Sequence, residues 1–256
     1  MERGARVALK DGVRAFARTS LDFLLPAACP ACERLLDNGE QTIVCGRCWA
    51  RLERLRHPQC PRCGHPGQTT PCEWCTLLPT YVRAVRSVCW MHRGTGAAIV
   101  HALKYGGWHA IAREMADQMS RLSWPPDVVE ERAAILPVPL AKSRVRERGF
   151  NQSERLGYAL ARRWSVPLWT NTLERERATA TQTRLTPEQR LANVSGAFRV
   201  ATAAREALKD THVVLVDDVV TTAATLNACA ATLVAGGARI VSYVTFGRAP
   251  ASGDRL

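Results

Sequence analysis

Apolar and polar positions change rhythm after Thr80, where a Cys- and Pro-rich stretch gives way to regular periodicity. Val82–Met91 alternates as a strand does, and Gly94–Tyr105, with apolar Ile99, Val100 and Leu103, reads as a helix. His109–Leu122 reads as a second helix, and Ser123–Glu131, with Trp124-Pro125-Pro126, as a loop. Ala133–Leu140 is a short apolar run carrying two prolines, expected to be a buried strand that ends in a rigid turn. Lys142–Arg148 reads as a strongly basic loop and Asn151–Arg163 as a helix. Leu173–Arg177 and Phe198–Val200 read as brief strands, separated by the Thr-rich, polar and expectedly mobile Ala178–Glu188. His212–Val216 reads as a buried strand, Thr222–Ala235 as a helix closed by Gly236-Gly237, and Ala238–Gly247 as a final strand. Strands alternating with helices predict an α/β domain with a mainly parallel sheet.

Upstream of this region, Met1–Ala28 carries Arg3, Arg6, Lys10, Arg14 and Arg18. Its acids Glu2, Asp11 and Asp22, and an apolar run no longer than Phe23–Leu25, do not fit a secretion signal. A surface helix with Val13, Phe16, Ala17 and Leu21 on its apolar face is expected. No stretch of the 256 residues approaches the roughly 20 apolar residues of a membrane span.

Cysteine usage sharpens the picture. Eight of the ten cysteines form four C-x-x-C pairs, Cys29/Cys32, Cys45/Cys48, Cys60/Cys63 and Cys72/Cys75. Two-residue spacing lets a tight turn aim both sulfurs at one point, and two such knuckles complete a tetrahedral thiolate site for Zn²⁺. With no secretion signal, the expected compartment is the reducing cytoplasm, where a disulfide framework does not persist. The hairpin-sized gaps, twelve residues from Cys32 to Cys45 and eight from Cys63 to Cys72, favour pairing sequential knuckles into two zinc ribbons. An interleaved cross-brace satisfies the same spacing. Four thiolates leave no open position, so both sites are read as structural. His57 and His65 flank the third knuckle as substitute ligands that eight thiolates make unnecessary. Cys89 and Cys229 stand alone and are read as core.

The formal net charge is +12. Two Zn²⁺ and eight thiolates lower it by four, to about +8. The excess favours polyanionic partners.

The candidate site is the segment His212–Thr225: an apolar strand, then Asp217 and Asp218, then small and hydroxyl residues that open a helix. In open α/β sheets ligands bind beyond the carboxyl ends of the strands, and a helix N-terminus offers amides to a phosphate. Two acids beside a phosphate cradle make sense if they grip sugar hydroxyls or face Mg²⁺. The alternative is a helix cap and a filled turn, with no ligand.

The segment resembles the phosphoribosyl-diphosphate motif of type I phosphoribosyltransferases, and the chain from about Phe23 to Arg248 resembles the ComF family. Lys104-Tyr105-Gly106-Gly107, Val138-Pro139-Leu140 and Arg148-Gly149-Phe150-Asn151-Gln152 carry that resemblance, with the spaced set Thr179, Gln182, Leu185, Arg190, Asn193 and Phe198. It implies an N-terminal helix (1–28), a small double zinc ribbon (29–80) and a type I phosphoribosyltransferase-like domain (81–256), its mainly parallel sheet covered by helices on both faces. It implies that Asp217 and Asp218 bind ribose hydroxyls with Mg²⁺ nearby, and that Thr221, Thr222, Ala223, Ala224 and Thr225 hold the 5′-phosphate. Lys142 and Arg144 would bind diphosphate, and Arg148 would help there or face DNA. Thr179, Gln182 and Arg190 would belong to a flexible loop over the site. Ala223 replaces the family's usual glycine, placing a methyl group where backbone approaches phosphate.

The resemblance further implies a role in natural transformation, with phosphoribosyl diphosphate or a nucleotide, single-stranded DNA and DNA-uptake proteins as partners. Lys142, Arg144, Arg146 and Arg148 would supply charge, and Trp49, Trp74 and Trp90 stacking surfaces; the alternatives are a basic loop that serves only diphosphate and tryptophans that belong to the core. Turnover as a phosphoribosyltransferase on a base or amine is the alternative. Glutamine amidotransfer and ATP-driven motor activity are not expected, since no cysteine precedes Cys29 and no G-x-x-x-x-G-K-[ST] loop is present.

Overall fold

The computed structural model describes residues 28–37, 42–67, 72–92, 94–176, 196–250 and 254. The expected N-terminal helix and the loop carrying Thr179, Gln182 and Arg190 lie outside the described residues.

Four strands form one parallel sheet: β1 (Val82–Trp90), β2 (Arg132–Pro137), β5 (His212–Val220) and β6 (Ile240–Arg248), in the order β1-β6-β5-β2. A small antiparallel pair, β3 (Leu173–Arg175) and β4 (Phe198–Val200), stands apart from it. Central strands covered on both faces are apolar almost throughout, and β5 divides its residues by the period of two. Val214 and Val216 face a core with Val244 and Phe246 from β6. Val213 and Leu215 face the opposite core with Val241 and Tyr243.

The first core is covered by α2 (Thr95–Tyr105), α3 (Ile111–Ser120) and α6 (Gln152–Trp164) through Ile99, Leu103, Met115, Leu156 and Leu160. The second is covered by α8 (Ala224–Ala235) through Leu226, Cys229 and Leu233, and by β3 and β4. Both lone cysteines, Cys89 and Cys229, are fully buried core residues.

The ends of the four expected long helices fall within two residues of where periodicity placed them, and two readings are corrected. Ser123–Glu131 is not all loop, because Pro126 opens the short helix α4 (Pro126–Glu131) at the position where its missing N–H costs nothing. Lys142–Arg148 is not a loop but the helix α5, closed by Gly149 in the left-handed region at φ 79°. Two further short helices are α1 (Gly46–Ala50), which carries Cys48, and α7 (Arg205–Leu208).

The cysteine knuckles pack on both sides of the edge strand β1. Cys29, Cys45 and Cys48 join the first core, and Cys63 and Trp74 join the second. On the first side Glu114 of α3 accepts the amides of Ile43 (2.6 Å) and Val44 (3.2 Å) and the indole N–H of Trp49 (3.1 Å). On the second side Val85 donates to the Arg62 carbonyl at 2.8 Å, and Asn227 of α8 donates to the Leu77 carbonyl at 2.7 Å. Gly64 makes that approach possible, since a Cβ there would lie 2.4 Å from the Val85 carbonyl oxygen. No described helix is long and apolar enough to cross a membrane.

Candidate functional site

β5 runs further than its apolar residues suggested, so Asp217 and Asp218 lie inside the strand rather than beyond it. The cause is unequal neighbours. β6 pairs with β5 as far as Val220, whereas β2 ends its ladder at Pro137 opposite Val216. From Asp217 onward β5 has no partner on that side, and the crevice left there is where an open α/β sheet binds ligands.

A cavity of about 580 Å³ fills the crevice, with Lys104, Tyr105, Pro139, Arg144, Arg148, Ser153, Arg175, Asp217, Asp218 and Thr225 among its walls. A second, of about 390 Å³, lies against the same acids and is walled by Lys104, Val220, Thr221, Ala223, Ala224, Thr225 and Ala249. Both fall in the size range of small-molecule sites.

The acids are held individually. Asp217 Oδ1 accepts the Ser153 hydroxyl at 2.7 Å and the Asp218 amide at 2.9 Å. Burial, then the adjacent Asp218 charge, push the Asp217 carboxyl up to about 7. Asp218 Oδ1 accepts the Val219 amide at 3.0 Å, and its Oδ2 lies 2.5 Å from Lys104 Nζ. Burial acts to lower the Lys104 pKa, but the Asp218 carboxylate outweighs it and the pKa is raised. Lys104 offsets the Asp218 charge, and the acid oxygens remain acceptors for hydroxyl donors or ligands for a cation. Oxygen donors of this kind fit Mg²⁺.

The segment after β5 has the features of an anion cradle. Among the described residues no side chain caps α8, and the first amides of a helix lie beyond the reach of its own carbonyls. The buried Thr222 hydroxyl has no hydrogen-bond partner among the described residues. Ala223 sits in the left-handed region at φ 59°, ψ 4°, the conformation the replaced glycine would adopt without strain. Thr225 lines both cavities, and Thr221 is exposed at the rim.

The basic helix α5 divides its cations. Arg144 and Arg148 line the larger cavity, whereas Lys142 is exposed and outside its walls. Arg144 pairs with Glu147 at 2.6 Å. Arg148 donates to Gln152 Oε1 (3.0 Å) and to the Tyr105 hydroxyl (3.1 Å), its guanidinium 4.9 Å from the Tyr105 ring centre. Asn151 caps α6 by accepting the Ser153 amide at 3.1 Å and donates to the Val138 carbonyl at 3.1 Å. The run Arg148–Ser153 therefore ties the turn after β2 to the acid Asp217.

Sequence reasoning missed Lys104, Ser153 and Arg175. Lys104 and Ser153 lie in or beside the motif runs quoted above, but only the folded chain brings them to the acids. Arg175 reaches the Pro139 carbonyl at 3.5 Å from β3, and burial lowers its pKa. The tryptophans are not stacking surfaces. Trp74 and Trp90 are buried, and Trp49 is half-buried with its N–H bound to Glu114.

The knuckles pair sequentially, as the gaps favoured. Cys29, Cys32, Cys45 and Cys48 converge in one group, and Cys60, Cys63, Cys72 and Cys75 in another. Cys29–Cys48 and Cys32–Cys45 sulfurs are 3.8 and 3.7 Å apart, and Cys60–Cys75 and Cys63–Cys72 are 3.5 and 3.4 Å apart. Sulfurs at 2.3 Å from a tetrahedral zinc would be separated by about 3.8 Å. None of the ten cysteines is in a disulfide. Both groups fit a structural Zn²⁺.

Residues 20–77 match the double zinc ribbon domain, and residues 133–255 the phosphoribosyl transferase domain. The chain is 35% identical over 208 residues to the DNA utilization protein YhgH of Salmonella typhi, covering 77% of this chain and 87% of that one. It is 40% identical over 94 residues to Competence protein F of Haemophilus influenzae, covering 37% of this chain and 41% of that one. Competence protein ComFC of Bacillus subtilis is 26% identical over 201 residues, covering 76% of this chain and 79% of that one.

Proposed function

The chain belongs to the ComF family, in which a double zinc ribbon precedes a phosphoribosyltransferase-like domain, and from that premise we propose that it binds phosphoribosyl diphosphate or a related ribose phosphate with Mg²⁺. The observation that carries the reading is the acid pair at the wall of a 580 Å³ cavity, next to the uncapped start of α8 and a buried Thr222 hydroxyl with no hydrogen-bond partner among the described residues. Asp217 and Asp218 accept the ribose hydroxyls, with Ser153 and Lys104 fixing their orientation. The amides of Ala224 and Thr225 and the Thr222 hydroxyl take the 5′-phosphate. Lys104, Arg144, Arg148 and Arg175 supply positive charge for a diphosphate. Asp217 and Asp218 would hold Mg²⁺, which would offset negative charge on the ligand when bound.

The names of the relatives support a role in competence and DNA use. In this reading the protein works in the cytoplasm on incoming single-stranded DNA, together with DNA-uptake proteins. The net charge of +12 and the exposed Lys142 and Arg146 of α5 provide the attraction. The convergence of four basic side chains on one cavity also favours a second reading, turnover by phosphoribosyl transfer to a base or amine. There the same cations would stabilise departing diphosphate.

Calorimetry with phosphoribosyl diphosphate tests the ligand, with and without Mg²⁺. The wild type gives Mg²⁺-dependent heat, and the double variant Asp217→Asn/Asp218→Asn gives none. Absence of heat with the folded, zinc-loaded wild type refutes the reading. Release of diphosphate when a panel of bases and amines is added separates transfer from binding alone.

A further inference from the structure

Arg86 and Arg248 are the arginines classed as buried among the described residues, and both sit at the second cysteine group. Arg86 is satisfied by carbonyls, donating to Ser123 (2.8 Å), Val85 (2.9 Å) and Pro61 (2.9 Å). Arg248 is not. It is fully buried at the end of β6, donates through one Nη to the Cys63 carbonyl, and lies 4.3 Å over the ring of Trp74, between Cys72 and Cys75. Its Nε and other Nη have no hydrogen-bond partner among the described residues. A buried guanidinium with two unpaired donors is costly unless an anion faces it. The favourable charges acting on it are those of the Cys63 sulfur and the Asp254 carboxylate.

Zinc bound by four thiolates is such an anion, with a net charge of about −2. The two arginines would neutralise it. The first cysteine group has no buried arginine or lysine among the described residues, and its Cys32 is exposed. The two groups therefore share ligand chemistry but not electrostatic surroundings.

Arg248 also stands next to the candidate site along the backbone. It pairs with Val220 in the β5–β6 ladder, its carbonyl accepts the Met91 amide at 2.7 Å, and Ala249 donates to the Val220 carbonyl at 2.8 Å. Val220 and Ala249 wall the smaller cavity with Thr221 and Ala223. We infer that Arg248 is the counter-cation of the second zinc site, and that zinc bound there holds the ends of β5 and β6 beside the phosphate-loop residues in place. Arg248 is a positioning residue in this role.

The test uses the full-length, zinc-loaded protein as wild type, Arg248→Met and Arg248→Lys. Zinc is withdrawn by a chelator while N-ethylmaleimide labels freed thiols, and mass spectrometry reads which cysteines react. Outer-shell changes typically alter metal affinity about 10–100-fold. In Arg248→Met, Cys60, Cys63, Cys72 and Cys75 should therefore label at least about tenfold faster, while the first group keeps its wild-type rate. Arg248→Lys should recover part of the protection. Hydrogen exchange at Asp217–Leu226 should rise as second-site zinc leaves. Wild-type labelling of the second group in Arg248→Met, equal acceleration of both groups, or unchanged exchange at Asp217–Leu226 would overturn the inference. A further measurement needs no variant: in the wild type the second group should outlast the first under chelator, and the reverse order overturns the claim.

Discussion

Replacing Ala223 with glycine should leave stability nearly unchanged, whereas the same change at the next residue, Ala224, should destabilise the protein. Both alanines are buried, at 3% and 6% exposure, so each substitution loses a similar methyl contact, about 0.8 kcal/mol. Each also adds freedom to the unfolded chain, which costs about 0.4–1 kcal/mol. Ala224 is the first residue of α8 and gains nothing in return, so Ala224→Gly should lose about 1–2 kcal/mol. Ala223 is held at φ 59°, ψ 4°, where an L-residue with a Cβ carries a penalty of about 1–2 kcal/mol that glycine does not. Relief of that strain offsets the other two effects, and the two variants should differ by about 1–2 kcal/mol. Urea unfolding of both at saturating zinc measures the difference directly. An Ala223→Gly variant as destabilised as Ala224→Gly would refute the argument that strain is stored at this position. Calorimetry with phosphoribosyl diphosphate adds a second readout, since removing the methyl group lets backbone approach phosphate and should tighten binding.

The pKa of Asp217, about 7 when folded against an ordinary value of 3.8, sets a pH dependence. The folded state holds an extra proton between those values, so the contribution of this group to stability falls as pH rises from about 4 to about 7. Asp217→Asn should flatten that part of a urea-unfolding pH series. Glu114→Gln weakens three hydrogen bonds to the first ribbon and should cost about 1–3 kcal/mol. Thermal unfolding reads the loss, and cysteine labelling should show the first group freed sooner than in the wild type while the second group keeps its rate. Gly64→Ala combines φ 66° with a Cβ 2.4 Å from a backbone oxygen of β1. It should cost about 3 kcal/mol and expose the second group first, by the same labelling readout.

What the sequence determined by itself is what depends on neighbours a few residues apart. A C-x-x-C pair is a local turn, so all eight ligands of the two zinc sites were legible, and the hairpin-sized gaps favoured the pairing that the sulfur distances bear out. The apolar run Val213–Val216 marked β5, because a strand covered on both faces has no polar side to show, while alternation marked β1. The helices α2, α3, α6 and α8 were marked by their periodicity to within a residue or two at most ends. The short helices α4 and α5 were not, since one or two turns carry too little periodicity to outweigh prolines or a run of charge.

The site itself divides in the same way. Asp217, Asp218 and the Thr-rich turn are consecutive and stood out as a group. Their placement inside β5 did not, because the length of that strand is set by where β6 continues and β2 stops. Lys104, Ser153 and Arg175 come from three distant elements and share a cavity with the acids only after the sheet has closed around them. The tryptophans of the ribbons face inward for a similar reason, since the edge strand β1 offers them a core that a separate ribbon would lack. Local geometry is encoded by spacing. Burial, charge pairing and the opening of a crevice are decided by contacts far apart in sequence, and only the tertiary structure contains them.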